Sequence, residues 1–165
     1  MMTVDEIMST DVHTLKESNT IDDARALMTK EHVRHIPIVD DDGRPIGLVT
    51  QRDILAASES VIAHAYDKDH GRSKSQIPLS QIMTRDVSAI DQNAHLRQAA
   101  IHLQAHKYGC LPVVDNGKLK GIVTDSDFVA VAINLLEQLE EREPEELFEE
   151  TEEVEVPPND LKDWD

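Results

Sequence analysis

Two short stretches carry the residue types and spacing for ligand chemistry: Gly47-Leu48-Val49-Thr50-Gln51-Arg52-Asp53 and Gly121-Ile122-Val123-Thr124-Asp125-Ser126-Asp127. In each, an apolar run ends in threonine and an aspartate follows three positions on. A strand that ends in threonine and feeds a helix leaves free backbone N–H groups, and the positive helix terminus, where a phosphate can sit. The hydroxyl adds a donor. Three residues make nearly one helical turn, so Thr50 and Asp53, like Thr124 and Asp127, face the same side. A carboxylate there is poor company for phosphate but a good bidentate acceptor for a ribose diol. The combination suits a nucleoside phosphate better than a bare anion. Gly47 and Gly121 permit close approach of chain or ligand along the strand. A structural reading stays open beside this one, because the same pair caps a helix with the acid well placed in its first turn.

The two stretches are not equal. The first has Gln51-Arg52 between threonine and aspartate, so a cation helps to hold phosphate; the second has Asp125-Ser126, an extra negative charge. Two unit charges about 4 Å apart, at an effective dielectric of about 20, repel by roughly 4 kcal/mol, enough to empty a modest site. The first stretch is therefore the favoured one. Eight histidines raise the question of a metal, and His102 and His106 share a helix face at i, i+4. No His-Glu-x-x-His and no Cys/His cluster completes a ligand set, so no metal is expected and these two are read as solvated helix histidines. Arg34 and His35 precede the next strand, either near a ligand or at a merely exposed strand end. Cys110, the single cysteine, has no neighbouring charge in sequence to activate it and reads as a small core residue.

These residues sit in a chain written twice. Ile7-Met8-Ser9-Thr10-Asp11-Val12 returns as Ile82-Met83-Thr84-Arg85-Asp86-Val87, and Ile36-Pro37-Ile38-Val39-Asp40 as Leu111-Pro112-Val113-Val114-Asp115, both at an offset of 75. The glycine-to-aspartate stretches repeat at 74, because the turn Asp40–Gly43 is one residue longer than Asp115–Gly117. Three matched blocks in order, with one gap in a turn, mean duplication. In each copy, Asn19-Thr20 or Asn93 supplies helix N-cap chemistry. Ile21, Ala24, Leu27 and Met28 then fall at helical spacing, as do Leu96, Ala99, Ala100 and Leu103. Two apolar runs across a turn rich in Asp, Asn and Gly predict a hairpin. Thr50 and Thr124 end its second strand and cap a closing helix. With a strand-like opening near Val12–Leu15 or Val87–Ile90, each unit reads β-α-β-β-α. One such unit buries too little surface to stand alone, so two should pack together.

The expected organisation is a first unit over 1–62, a linker over 63–78, a second unit over 79–142 and an acidic tail over 143–165. The last helix starts near Asp125 and runs to Pro144; its aliphatic stripe is long enough for part of it to pack on a second protomer. The net charge of −17 is uneven: residues 137–165 hold 14 acids against Arg142 and Lys162, and the rest of the chain nets −5. An acidic balance disfavours nucleic acid and anionic membrane surfaces, and 3% aromatics supply no stacking platform. The longest apolar run, Phe128 to Ile133, is far short of the roughly 20 residues of a span, and Met1–Glu6 has neither the basic start nor the apolar stretch of a signal peptide. One cysteine forms no internal disulfide. A cytoplasmic protein is expected. The tail repels itself and reads as largely disordered; Leu147-Phe148 and Trp164 are apolar islands that either dock a partner or merely accompany a solubilising tail.

Taken together, the paired strands and the paired Gly-apolar-apolar-Thr-x-x-Asp stretches make residues 3–140 resemble a tandem pair of cystathionine-β-synthase (CBS) domains, a Bateman module. The chain is also similar to the small CBS proteins called acetoin-utilisation proteins, from which nothing further is drawn. The resemblance implies an α+β fold: two pseudo-symmetric β-α-β-β-α units (α/β-type) packed through their sheets, homodimerisation, and clefts that hold adenine-containing ligands. Carried over by position, the first cleft uses Thr50 and Asp53 with Arg52 nearby, and its base pocket draws on His13, Thr14, Ile36 and Pro37. The second uses Thr124 and Asp127, with Ser88, Ala89, Leu111 and Pro112. The expected ligand is AMP, ADP or ATP, ahead of S-adenosylmethionine or NAD. The leading expectation is a non-enzymatic sensor whose occupancy alters the angle between units and so the activity of a protein partner. The alternative is a ligand-free interaction protein that uses its dimer helices and acidic tail.

Overall fold

A computed structural model describes residues 2–63, 76–107 and 109–142. Most of the expected linker and all of the acidic tail, with Leu147, Phe148 and Trp164, lie outside the described residues. The fold is mixed α+β, with two three-stranded sheets, and the described residues divide into two bodies at Phe128, with 129–142 in the second.

In the first body, α1 (Ile21–Glu31) starts at Thr20, whose Oγ1 accepts the Asp23 N–H (3.3 Å) while Asp23 Oδ2 accepts the Thr20 N–H (2.8 Å). Ile21, Ala24 and Met28 are buried, as the helical spacing requires. Strands β1 (His35–Val39) and β2 (Pro45–Thr50) pair antiparallel, and α2 (Gln51–Ala63) follows at once. The second copy repeats this plan with β4 (Ile90–Asp91), α3 (Leu96–His106), β5 (Cys110–Asp115), β6 (Lys118–Thr124) and α4 (Asp125–Arg142). Its hairpin turns on Asn116-Gly117, both at positive φ (50° and 78°), the conformation an Asn-Gly two-residue turn supplies at least cost. The opening strands are shorter than expected. One is the two-residue β4, paired parallel to β5 through Ile90 and Val113; the other is a single bridge from Leu15 to Ile38, at the same relative position.

Asn93 is not the N-cap of α3. Its backbone N–H and its side-chain amide both donate to Asp91 Oδ1 (2.8 and 3.1 Å), which holds it in the preceding turn. His95, at the position of Thr20, takes the cap, and its N–H donates to Gln98 Oε1 at 3.2 Å.

The copies exchange their leading segments. Residues 2–9 lie along the second unit: the Val4 N–H donates to the Ala94 carbonyl (3.0 Å), and Ser9 and Ile122 exchange backbone hydrogen bonds at 2.9 and 3.0 Å. Val4 is fully buried in the second core, with Ile90, Ala99, Leu103, Leu111, Val113 and Val123. Symmetrically, residues 77–85 lie along the first unit. The Ile21 N–H donates to the Ile77 carbonyl (3.0 Å), β3 (Thr84–Arg85) pairs antiparallel with β2 at Gly47 and Leu48, and Leu79 and Met83 join Ile36, Ile38 and Val49 in the first core. Each packed unit therefore contains the first residues of the other copy.

This exchange explains the two glycines. A Cβ on Gly47 would stand 2.9 Å from the Thr84 carbonyl oxygen, and one on Gly121 would stand 2.8 Å from that of Ser9 and 2.7 Å from Met8 Sδ. The close approach is by the exchanged chain.

In the second body, the continuation of α4 carries Val129, Ile133, Leu135, Leu136 and Leu139, each at least half exposed. The helix ends at Arg142, two residues before Pro144. No helix among the described residues is long and apolar enough to cross a membrane.

Candidate functional site

Each candidate cleft is built at the end of a hairpin. His35 faces Thr50 across β1 and β2, and Cys110 faces Thr124 across β5 and β6. At both places the Thr-x-x-Asp pair forms the cap that its spacing allows. Asp53 Oδ2 accepts the Thr50 N–H (2.7 Å) and the Thr50 hydroxyl (2.9 Å), and the Asp53 N–H donates back to Thr50 Oγ1 at 3.3 Å. Asp127 Oδ2 accepts from Thr124 in the same way, at 2.7 and 2.9 Å. All four residues are half-buried. One oxygen of each carboxylate is thus committed to the helix start, while Oδ1 has no hydrogen bond among the described residues. The cap rigidly orients that second oxygen, so the structural and ligand-binding readings are compatible.

The strand positions of the expected base pockets divide between core and cleft. Ile36 is fully buried in the first core, Pro37 and Pro112 are fully buried as well, and Leu111 is buried in the second core, so what these strands can offer a ligand is mainly backbone. His13 is half-buried, its Nε2 lying 3.6 Å from Glu31 Oε2 and 3.9 Å from Asp11 Oδ2, with Thr14 half-buried beside it. Arg52 is exposed on the first turn of α2, without an ion pair among the described residues. Ser88 and Leu111 do come together, at a shallow surface depression with His102, Leu103, His106 and Cys110 that leaves no enclosed space; Ala89 is exposed next to Ser88.

His102 was expected in solvent, and the structure corrects this. The last turns of α3 lie over Cys110 and Leu111, so the His102 ring is half-buried and stacked on His106, with centroids 5.5 Å apart and planes 24° apart. Its Nδ1 is buried and has no hydrogen-bond partner. The signal was present in the repeat: His102 stands at the position of Leu27, one of the apolar residues of α1. Cys110 is fully buried, and burial first, then the charges of Asp127 and Asp125, push its thiol up to about 12. It stays protonated at neutral pH and is no nucleophile. Among the described residues, no group of three or more His, Cys, Asp or Glu side chains could hold a metal ion.

The ends of the two hairpins approach each other at Gly109. A Cβ there would stand 3.3 Å from Asp125 Oδ2 of the second copy and 3.4 Å from His35 Nε2 of the first. The first N–H of α4, on Asp125, donates to the Gly109 carbonyl (3.3 Å), as the Gln51 N–H of α2 donates to that of Arg34 at 2.9 Å. These helix starts are fixed to the strand entering the hairpin.

A family model for the CBS domain matches the chain twice, over residues 4–60 and 79–134. Among solved structures, the chain is similar to one from Vibrio cholerae described as an acetoin utilization protein (AcuB), at 44% identity and a TM-score of 0.72, covering 85% of this chain and 98% of that one. It is 29% identical to CBSX2 in complex with AMP (TM-score 0.67, covering 82% and 99%), a protein also solved from Arabidopsis thaliana. It is 25% identical to the CBS domain pair of protein MJ0100 in complex with 5′-methylthioadenosine and S-adenosyl-L-methionine (TM-score 0.68, covering 82% and 98%). Among curated proteins, an uncharacterized protein MJ1404 of Methanocaldococcus jannaschii is 32% identical over 136 residues, which are 80% of this chain. The chain spans about a third of that protein's length, and 24% of a homoserine O-acetyltransferase of Methanohalophilus mahii that it also matches.

Proposed function

Because the chain belongs to the CBS domain family and carries two such domains in tandem, we propose that it is a non-enzymatic regulatory module that binds an adenine nucleotide and signals its occupancy to a protein partner. The observation that carries this reading is the half-buried Thr50–Asp53 pair at the start of α2, with Asp53 Oδ1 uncommitted and Arg52 one turn-position away. Asp53 accepts the ribose diol through Oδ1, the helix terminus faces the phosphate, and Arg52 supplies the cation that phosphate needs, while the Thr50 hydroxyl proton is held by Asp53 Oδ2 and orients the carboxylate. AMP bound to CBSX2 and the adenosyl ligands bound to the MJ0100 pair support an adenine-containing ligand. AMP, ADP and ATP are the first candidates here, because the first cleft is the one with a cation beside it.

Ligand-driven signalling requires unequal affinity for two arrangements of the protein. The exchanged segments supply a physical route, since β3 (Thr84–Arg85) is part of the first unit's sheet and leads directly into the second copy. A second protomer packs on the exposed apolar residues of α4, making a homodimer.

Thermal unfolding of the full chain with AMP, ADP, ATP, NAD and S-adenosylmethionine tests the proposal. A ligand at 100 times its Kd adds about 2.7 kcal/mol, worth several degrees for a chain of this size. If all five leave the Tm unchanged at millimolar concentration, the nucleotide reading is lost. Native mass spectrometry of freshly purified protein reads subunit number and any retained ligand together. The exposed apolar residues of α4 also favour the alternative of a ligand-free interaction protein. Deleting residues 145–165 separates the two, because partner capture then disappears under the alternative while nucleotide binding persists under the first.

A further inference from the structure

The repeat has one gap, and it falls in a hairpin turn. The first copy turns over residues 40–44, one residue longer than the turn of the second copy at Asn116-Gly117. The longer turn is closed from inside. Asp40 Oδ1 accepts the N–H groups of Asp42 and Arg44, both at 2.9 Å, and the Gly43 N–H donates to the Asp40 carbonyl at 3.1 Å. Lys16 Nζ donates to that same carbonyl and lies 3.3 Å from Asp41 Oδ1, tying the turn to the segment before α1. Together these bonds fix where the Gly43 carbonyl points.

That carbonyl accepts the Leu119 N–H of the second copy at 3.0 Å. Leu119 sits opposite Val114 on β6, yet it gives its N–H outward, to the other unit. With each exchanged segment counted in the unit it packs on, no other backbone hydrogen bond among the described residues joins one unit to the other. The bond has no mirror image. At the offset of 74, Leu119 corresponds to Pro45, which has no N–H to return to the Gly117 carbonyl. Arg44 approaches Gly117 instead, with Nη1 3.9 Å from where a Cβ would stand. At the far end of β2, about 20 Å of strand away, the hairpins approach at Gly109 through the side chains of His35 and Asp125.

We infer that the turn over residues 40–44 is a one-sided joint, which holds the two units together at the closed ends of their hairpins through Gly43 and Leu119. A change of angle between the units then pivots at this joint and is largest at the Thr50 end, where the candidate cleft lies. The joint stands on the packing alone, while its use as a pivot rests on the signalling reading above.

Hydrogen exchange of the full chain, read amide by amide by NMR, tests both. The Leu119 N–H has its acceptor in the other unit, so its protection reports the joint. The Ile122 N–H, held by Ser9, reports that the second unit is folded. Wild-type Leu119 should exchange about a hundredfold more slowly than an unprotected amide. Replacing Asp41-Asp42-Gly43 by Asn-Gly, the turn of the second copy, should remove most of that protection and leave Ile122 as slow as before. Asp40→Ala should speed Leu119 about tenfold, whereas Asp40→Asn, which keeps an acceptor oxygen, should not. The joint is overturned if wild-type Leu119 exchanges as an unprotected amide, if the shortened turn leaves it slow, or if Asp40→Ala and Asp40→Asn leave it equally slow. AMP that moves the His35 and Ile36 signals should leave Leu119 exchange within about twofold, and an acceleration of about tenfold would overturn the pivot. AMP that moves no signal would overturn the nucleotide reading and the pivot with it, while the ligand-free exchange still decides the joint.

Discussion

Replacing Asp53 by asparagine and by alanine separates the two duties of its carboxylate. In the wild type, Oδ2 accepts the Thr50 N–H at 2.7 Å and the Thr50 hydroxyl at 2.9 Å, and Oδ1 has no hydrogen bond among the described residues. In Asp53→Asn the amide oxygen takes the place of Oδ2, so both cap bonds survive as neutral ones. Losing the charge assistance costs about 1 kcal/mol, a Tm drop of roughly 2–4 °C for a chain of this size. The amide nitrogen then stands where Oδ1 stood and presents a donor to a ribose diol that needs an acceptor. That change costs about 3 kcal/mol of binding, roughly a hundredfold in Kd. Asp53→Ala loses the cap as well, adding about 0.5–2 kcal/mol of lost stability. Calorimetric titration with AMP, alongside thermal unfolding of the three proteins, reads both quantities. An asparagine variant that binds AMP within twofold of the wild type, while the alanine variant merely unfolds earlier, would refute a ligand role for Asp53 and leave it a cap.

Three further outcomes follow from the packing and the titrating groups. Gly121→Ala places a methyl 2.8 Å from the Ser9 carbonyl oxygen and should cost about 1–3 kcal/mol by denaturant unfolding; truncating Met8 alongside should not restore it, because the second obstacle is backbone. Asp23 is held below its ordinary 3.8, chiefly by the Thr20 N–H and then by Asn19, so the stability it contributes is full near neutral pH and is lost as pH falls below that value. The stability gap between wild type and Asp23→Asn should therefore close in acid. Cys110 keeps its proton to about pH 12 in the folded protein, against 9.0 ordinarily, so the unfolded chain alone ionises between those values and stability falls as pH rises through them. A Cys110→Ala variant should lack that part of the alkaline slope, and the wild-type thiol should resist alkylation at pH 8.

The contrast between cap and cleft also shows how one motif can serve both ends. A carboxylate whose second oxygen faces a ligand is useful only if it does not swing. The bonds donated by Thr50 and Thr124 restrict that freedom before any ligand arrives, lowering the entropic cost of binding.

Features that depend on neighbours three or four residues apart, or on the repeat itself, were legible in the chain. The Thr50–Asp53 and Thr124–Asp127 caps, the buried stripe Ile21, Ala24 and Met28, the Asn116-Gly117 turn and the β-α-β-β-α order all follow from local spacing, because helices and hairpins close their hydrogen bonds locally. Misassigning the cap to Asn93 shows the limit even there, since Asp91 competes for the same amide two residues away. What only the tertiary structure decided is non-local. That Val4 belongs to the core of the second copy and Leu79 to that of the first depends on backbone pairing across roughly 36–113 residues, for which no spacing rule exists. Hence Gly47 and Gly121 were visible as places of close approach, while the chain that approaches them was not. The burial of His102 Nδ1 likewise arises where three separate segments meet, α3, β5 and the stretch around Ser88, and only the folded packing sets it.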